Sequence, residues 1–264
     1  MRAGDDMDFQ TIEVEQSGPV CILRLNQPER LNAMSLEMSA EVNAALAGLP
    51  ASARALVITG AGKAFCSGAD LSVDPAELAE LDFGLTLETH INPMMMQLRD
   101  LPIPWVTAVR GAAAGVGCSL ALAGDLIVAG EGAYFLQAFS RVGLVPDGGS
   151  THLLARTIGR PRAMEMMLLG DRIPAATALN WGLVNRVVAD EAVEDEAIAL
   201  AQKLANGPRS LAQTRRMIWH ALDAEWRSVL DMERREQTSA GDSADAAEGI
   251  AAFMQKRKAQ FTGA

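Results

Sequence analysis

Two stretches of this chain place backbone amides, rather than side chains, where a reaction could use them. Residues 104–129, PWVTAVRGAAAGVGCSLALAGDLIVA, begin with a strand-forming run from Trp105 to Val109. A run of Gly and Ala from Gly111 to Gly117 follows, interrupted only by Val116. From about Gly117 the pattern becomes a small-residue helix, and Asp125 opens a second apolar strand. Strand, glycine turn and helix start together point free N–H groups at whatever lies in front of the turn. The missing side chains let a ligand approach the backbone closely. That chemistry suits an anion, or an oxyanion that develops during a reaction. Residues 60–70, GAGKAFCSGAD, repeat the order of strand then glycine loop, and two such loops could face each other.

Other chemistries fit less well. Gly115-x-Gly117 between a strand and a helix is a near miss to a dinucleotide fingerprint. Leu120 replaces its third glycine and no acidic residue ends the next strand, which argues against NAD. His90, His152 and His220 are scattered without metal-ligand spacing, so no metal is expected. Cys21, Cys66 and Cys118 lack any CxxC spacing, which disfavours a zinc site or a disulfide scaffold and fits a reducing cytoplasm. Cys66 and Cys118 read as small packing residues.

The elements that must hold the two loops are legible around them. Residues 11–15 (TIEVE) and 20–26 (VCILRLN) alternate on either side of Ser17-Gly18-Pro19, a hairpin signal. Ser35 caps an amphipathic helix, SLEMSAEVNAALAGL, and residues 55–59 (ALVIT) form a buried strand. A long helical stretch runs from Asp74-Pro75 to about Leu98, with Gly84 and Pro93 as weak points and Met94 to Met96 as core filling. Residues 133–137 form a short strand and 140–149 a loop. Helices follow at 150–159, 161–169 and 174–181, then a last strand at 183–188. Beyond Asp190 strand signals stop, and helices are expected at 191–206, 208–222, 224–238 and 244–258. The fold class is α/β, and the 264 residues suffice for one large core. The net charge of −10 argues against a nucleic-acid surface. No run approaches the length of a membrane span. The acidic start lacks the apolar segment of a signal peptide, so residues 1–7 are expected to be a loose leader.

Four segments carry a resemblance: PERLNAM at 28–34, GKAFCSGADL at 62–71, AVRGAAAGVGCSLALAGDLIVA at 108–129 and FSRVGLVPDGGSTHLLARTIG at 139–159. Together with FMQKRKAQF at 253–261 they resemble, in order and over nearly the whole chain, the enoyl-CoA hydratase/isomerase (crotonase) superfamily. The resemblance implies a spiral of repeated ββα units in a core at 8–190, with a helical trimerisation region at 191–264. It also implies an acyl-CoA thioester as ligand, coenzyme A being part of the substrate and no separate cofactor being needed. A homotrimer or dimer of trimers in the cytoplasm is the implied assembly. By motif position the oxyanion donors are Ala69 N–H and Val116 N–H, the family having glycine at the second place. Arg30, Lys63 and Lys256 become candidates for the CoA phosphates. Ser67, Gly68, Asp70, Leu71, Ala114, Gly115, Phe139 and Phe253 complete the expected substrate-binding set.

The departures decide the reaction. Hydratases of the family use two carboxylates to activate water, and here those positions carry Ser119 and Phe139, neither of which moves protons. Asp147, in Val145-Pro146-Asp147-Gly148-Gly149, is the carboxylate that remains. It stands where isomerase branches of the family, including those like the epoxide-opening isomerase of phenylacetate breakdown, place a working Asp. Its alternative role is to cap the helix near Ser150. The expected activity is a double-bond shift through an enolate. The alternatives are a hydratase, hydrolase or dehalogenase with its acid elsewhere, such as Glu88 or Asp82, and a non-catalytic acyl-CoA binder.

Overall fold

A computed structural model describes residues 9–72 and 80–264. The expected leader at 1–7 and the helix start at Asp74-Pro75 lie outside the described residues. The first alternating run folds as β1 (Ile12–Ser17), antiparallel to β2 (Val20–Leu25) across the two-residue turn Gly18-Pro19. Ser35 then caps α1 (Leu36–Ala47), its hydroxyl accepting the Met38 N–H at 3.0 Å. After β3 (Ala55–Gly60) the expected long helix appears in pieces: α2 (Phe83–Thr86), a π-turn at Leu87–Ile91, and α3 (Asn92–Asp100). The wide turn precedes Pro93, which has no N–H and whose ring crowds the carbonyl four residues back.

From there the chain repeats strand, strand, helix. One turn is β4 (Trp105–Val109), β5 (Ala112–Ala114) and α4 (Val116–Leu122). The next is β6 (Leu126–Gly130), β7 (Tyr134–Leu136) and, after a 3-10 turn at Ala138–Arg141, α5 (Ser150–Thr157). Then come α6 (Gly159–Leu169), β8 (Ile173–Pro174), α7 (Ala175–Trp181) and β9 (Arg186–Val188). The first strands of each turn build a six-stranded sheet ordered β1-β2-β3-β4-β6-β9, parallel from β2 onward, and the second strands build a small sheet ordered β5-β7-β8. This is the expected spiral of ββα units.

The alanines of β5 correct the reading of 111–117 as one continuous glycine turn. Gly111 and Gly115 turn, with φ +61° and +52°, while Ala112 to Ala114 between them run extended beside β7. They also bridge the other glycine loop: Cys66 N–H donates to Ala112 C=O and Ala114 N–H to Cys66 C=O, both at 3.0 Å. Alanine is a weak strand former, so these tertiary hydrogen bonds decide its conformation.

Both faces of the large sheet are covered, which is why its strands read as unbroken apolar runs. Leu23, Leu56, Ile58, Trp105 and Ile127 pack into the main core. Ile22, Val57, Val106 and Val128 face the other way, against Val193, Ala197 and Leu200 of α8 (Val193–Ala205). The remaining C-terminal helices are α9 (Ser210–Ala221), α10 (Trp226–Gly241) and α11 (Ala244–Met254). Arg215 of α9 is locked to the body of the fold. Its Nε donates to Asp125 Oδ2 at 2.6 Å, and its other nitrogens donate to the carbonyls of Leu98, Arg99 and Leu101. No helix among the described residues is long and apolar enough to cross a membrane.

Candidate active site

The two glycine loops do face each other. A Cβ on Gly115 would stand 3.6 Å from the Cα of Gly68, and one on Gly68 would stand 3.1 Å from the Ala114 carbonyl oxygen. Both glycines have positive φ, +109° at Gly68 and +52° at Gly115, so only glycine gives this backbone together with this approach. Met34 donates its N–H to Gly68 C=O at 2.7 Å and accepts the Asp70 N–H at 3.0 Å, in a parallel bridge centred on Ala69. Extended backbone alternates, so the N–H of Ala69 turns to the opposite edge. Val116 is the first residue of α4, where helix geometry leaves N–H groups without intrahelical acceptors.

Ala69 and Val116 both line one cavity of about 440 Å³. Its walls are mostly apolar, built by Met34 and Leu36, by Phe83, Leu87 and Ile91 from the helical segment, and by Phe139 and Leu144. Asp147 lines it as well. Val116 is buried, and its Cγ2 lies 3.7 Å from where a Gly148 Cβ would be.

Asp147 is not a cap. The residue preceding α5 is Gly149, which has no side chain to cap with, and Ser150 uses its own N–H and hydroxyl on the Asp147 carbonyl oxygen, at 3.1 and 2.8 Å. The Asp147 carboxylate is left with Oδ1 buried and unpartnered. Burial pushes its pKa up to about 6. An acid that titrates near neutrality in the wall of an apolar cavity can both take and return a proton.

The other expected residues divide. Asp70 and Leu71 join Ala69 in the cavity wall. Ser67 donates its N–H to Leu31 C=O, and Ala114 and Gly115 shape the loop contact from behind. Arg30 is not a lining residue; it forms an ion pair with Asp70 at 2.6 Å and also bonds Ser72. Burial pushes the Asp70 carboxyl up, but the Ser72 hydroxyl and N–H and the Arg30 charge outweigh it and hold it below its ordinary value. Lys63, Phe253 and Lys256 are exposed, and the cavity is lined by other residues. Asp82 caps α2 through the Leu85 N–H, and neither Asp82 nor Glu88 is among the cavity-lining residues. The three cysteines are buried free thiols, and burial drives Cys66 up to about 11 and Cys118 up to about 12. The described residues hold no cluster of metal-ligating side chains. Sequence reasoning took Ser119 only as a missing acid; its hydroxyl in fact donates to the Asp147 carbonyl oxygen at 2.9 Å.

A ββα spiral whose two glycine loops face each other beside an apolar cavity is the architecture of the crotonase-like class of acyl-thioester proteins. The comparisons agree: the profile of the enoyl-CoA hydratase/isomerase family matches residues 15–264, and the chain belongs to that family. It is 43% identical over 263 residues to the 1,2-epoxyphenylacetyl-CoA isomerase of Escherichia coli (strain K12), covering 97% of this chain and 99% of that protein. It is 41% identical over 262 residues to a protein of Rhodobacter capsulatus named "probable enoyl-CoA hydratase", covering 97% of this chain and 100% of that one. Among solved structures, the enoyl-CoA hydratase of Bacillus anthracis superposes with a TM-score of 0.89 at 30% identity, covering 97% of this chain and 100% of that one.

Proposed function

We propose that this protein is an acyl-CoA isomerase that moves a double bond into conjugation with the thioester, with Asp147 as the proton carrier. The unpartnered Asp147 carboxyl in the cavity wall is the observation that carries this reading. With a 3-enoyl thioester bound, ionised Asp147 takes a proton from C2, and the C–H electron pair passes into the carbonyl to give a dienolate. The N–H groups of Ala69 and Val116 donate to its oxygen; one such donor is worth about 3 kcal/mol in a dry site. The Asp147 carboxylic acid then returns its proton to C4, the electrons shift back, and the product is the 2-enoyl thioester. A pKa of about 6 suits both halves of that exchange.

Hydration would need an activated water and a second acid or base. Ser119 is fully buried with its hydroxyl committed to a carbonyl, and Phe139 fills the facing wall with an apolar ring. The similarity to an epoxyphenylacetyl-CoA isomerase favours one further substrate type, a ring-bearing acyl group whose isomerisation also places charge on the thioester oxygen. Exposed apolar side chains on the C-terminal helices, Ile218, Trp226, Ile250 and Phe253, support association of copies through this region. The test is product analysis: 3-enoyl-CoA incubated with the protein should yield 2-enoyl-CoA. Accumulation of 3-hydroxyacyl-CoA from either enoyl isomer would replace the isomerase reading with a hydratase.

A further inference from the structure

The Asp147 carboxyl has no hydrogen bond of its own to fix Oδ1, so its aim must come from its backbone. That backbone is a poor anchor by itself. Gly148 and Gly149 follow with φ of +57° and +77°, and two glycines in succession leave a chain free to swing. Three donors converge on the Asp147 carbonyl oxygen: the Ser119 hydroxyl at 2.9 Å, the Ser150 hydroxyl at 2.8 Å and the Ser150 N–H at 3.1 Å. Ser150 is part of the same loop-to-helix passage and moves with it. Ser119 sits on α4, the helix that begins with the donor Val116. It is 0% exposed and lies behind the cavity wall rather than in it. The packing is equally close: a Cβ on Gly148 would stand 2.8 Å from the Ser119 Cβ.

We propose that Ser119 is a positioning residue that ties the Asp147 loop to the same short helix that presents the Val116 amide. Proton carrier and oxyanion donor then share one rigid support, and the distance between C2 of a bound thioester and the carboxylate is set by a hydrogen bond out of contact with substrate. The same contact makes position 119 exclusive. A larger side chain there would have to displace Gly148, so helix α4 supports Asp147 only while this position stays small. The inference rests on the reading of Asp147 as the proton carrier.

The experiment compares wild type, Ser119→Ala, Asp147→Asn and the double variant on 3-enoyl-CoA, with acyl-CoA affinity and kcat against pH measured for each. Alanine is smaller than serine and favours helix, so the fold should survive. Loss of one neutral hydrogen bond that orients the reacting group should lower kcat about five- to ten-fold with KM little changed. A loosened loop admits water to the carboxyl, so the acid limb of the pH profile should move to lower pH. Ser119→Ala should add no further loss to Asp147→Asn, because both act through one group. A Ser119→Ala variant with wild-type kcat and pH limb, beside an inactive Asp147→Asn, overturns the positioning role alone. So does an equal fractional loss, or an equal loss of acyl-CoA affinity, in both backgrounds. Wild-type turnover by Asp147→Asn would overturn the functional reading and the positioning role with it.

Discussion

Replacing Asp147 by Asn removes a group whose ionisation the fold opposes, so the variant should gain stability in a pH-dependent way. Burial raises the carboxyl pKa from 3.8 to about 6. A carboxyl with a raised folded-state pKa contributes stability below its unfolded value, and that contribution is lost as pH rises through the folded value. The full shift corresponds to about 2–3 kcal/mol, trimmed by the residual solvent contact of a group that is not wholly buried. Between about pH 5 and about pH 8 roughly half of it develops, so the gap between variant and wild type should widen by about 1 kcal/mol. For a chain of this size that is a difference of about 3 °C in Tm between the two ends of the range. The assay is thermal unfolding of both proteins across that range in matched buffers. Parallel pH profiles would refute the reasoning, because they would mean that Asp147 titrates at the same pH folded and unfolded.

Two further changes follow from the geometry. Gly115→Ala puts a side chain at φ +52°, a conformation that L residues rarely adopt, so the backbone that presents the Val116 N–H must shift. Steady-state kinetics should show kcat lowered about 100-fold, as for loss of one oxyanion donor, with acyl-CoA affinity largely kept. Arg215→Ala leaves the largely buried Asp125 without its cation, with the Trp105 N–H still bonded to it, and strips donors from the carbonyls of Leu98, Arg99 and Leu101. Urea unfolding should show a loss of about 3–5 kcal/mol.

Much of this site could be read from residue order, and the exceptions have physical causes. The hairpin at Ile12–Leu25 was legible because alternation and a Gly-Pro turn agree. The two facing loops were legible because positive φ favours glycine at 68 and 115, and close approach adds to it at 68. Strand β5 was not, since Ala112 to Ala114 take their conformation from partners at Cys66 and in β7 that only the tertiary fold supplies. Asp147 stood open between capping and chemistry, because both roles favour an Asp just before a helix; the unpartnered Oδ1 speaks against the cap. Ser119 read as an absence because its partner is a backbone carbonyl 28 residues away, and carbonyls leave no mark in sequence. The CoA-phosphate candidates Lys63 and Lys256 lie on the exposed surface, where charge alone does not distinguish a ligand contact from a solvated face.

The most direct test of the central claim is conversion of 3-enoyl-CoA to 2-enoyl-CoA by wild type and Asp147→Asn, with acyl-CoA binding measured on both. Asp147 as proton carrier predicts that turnover collapses in the variant while binding persists. Equal turnover by the two proteins would contradict it.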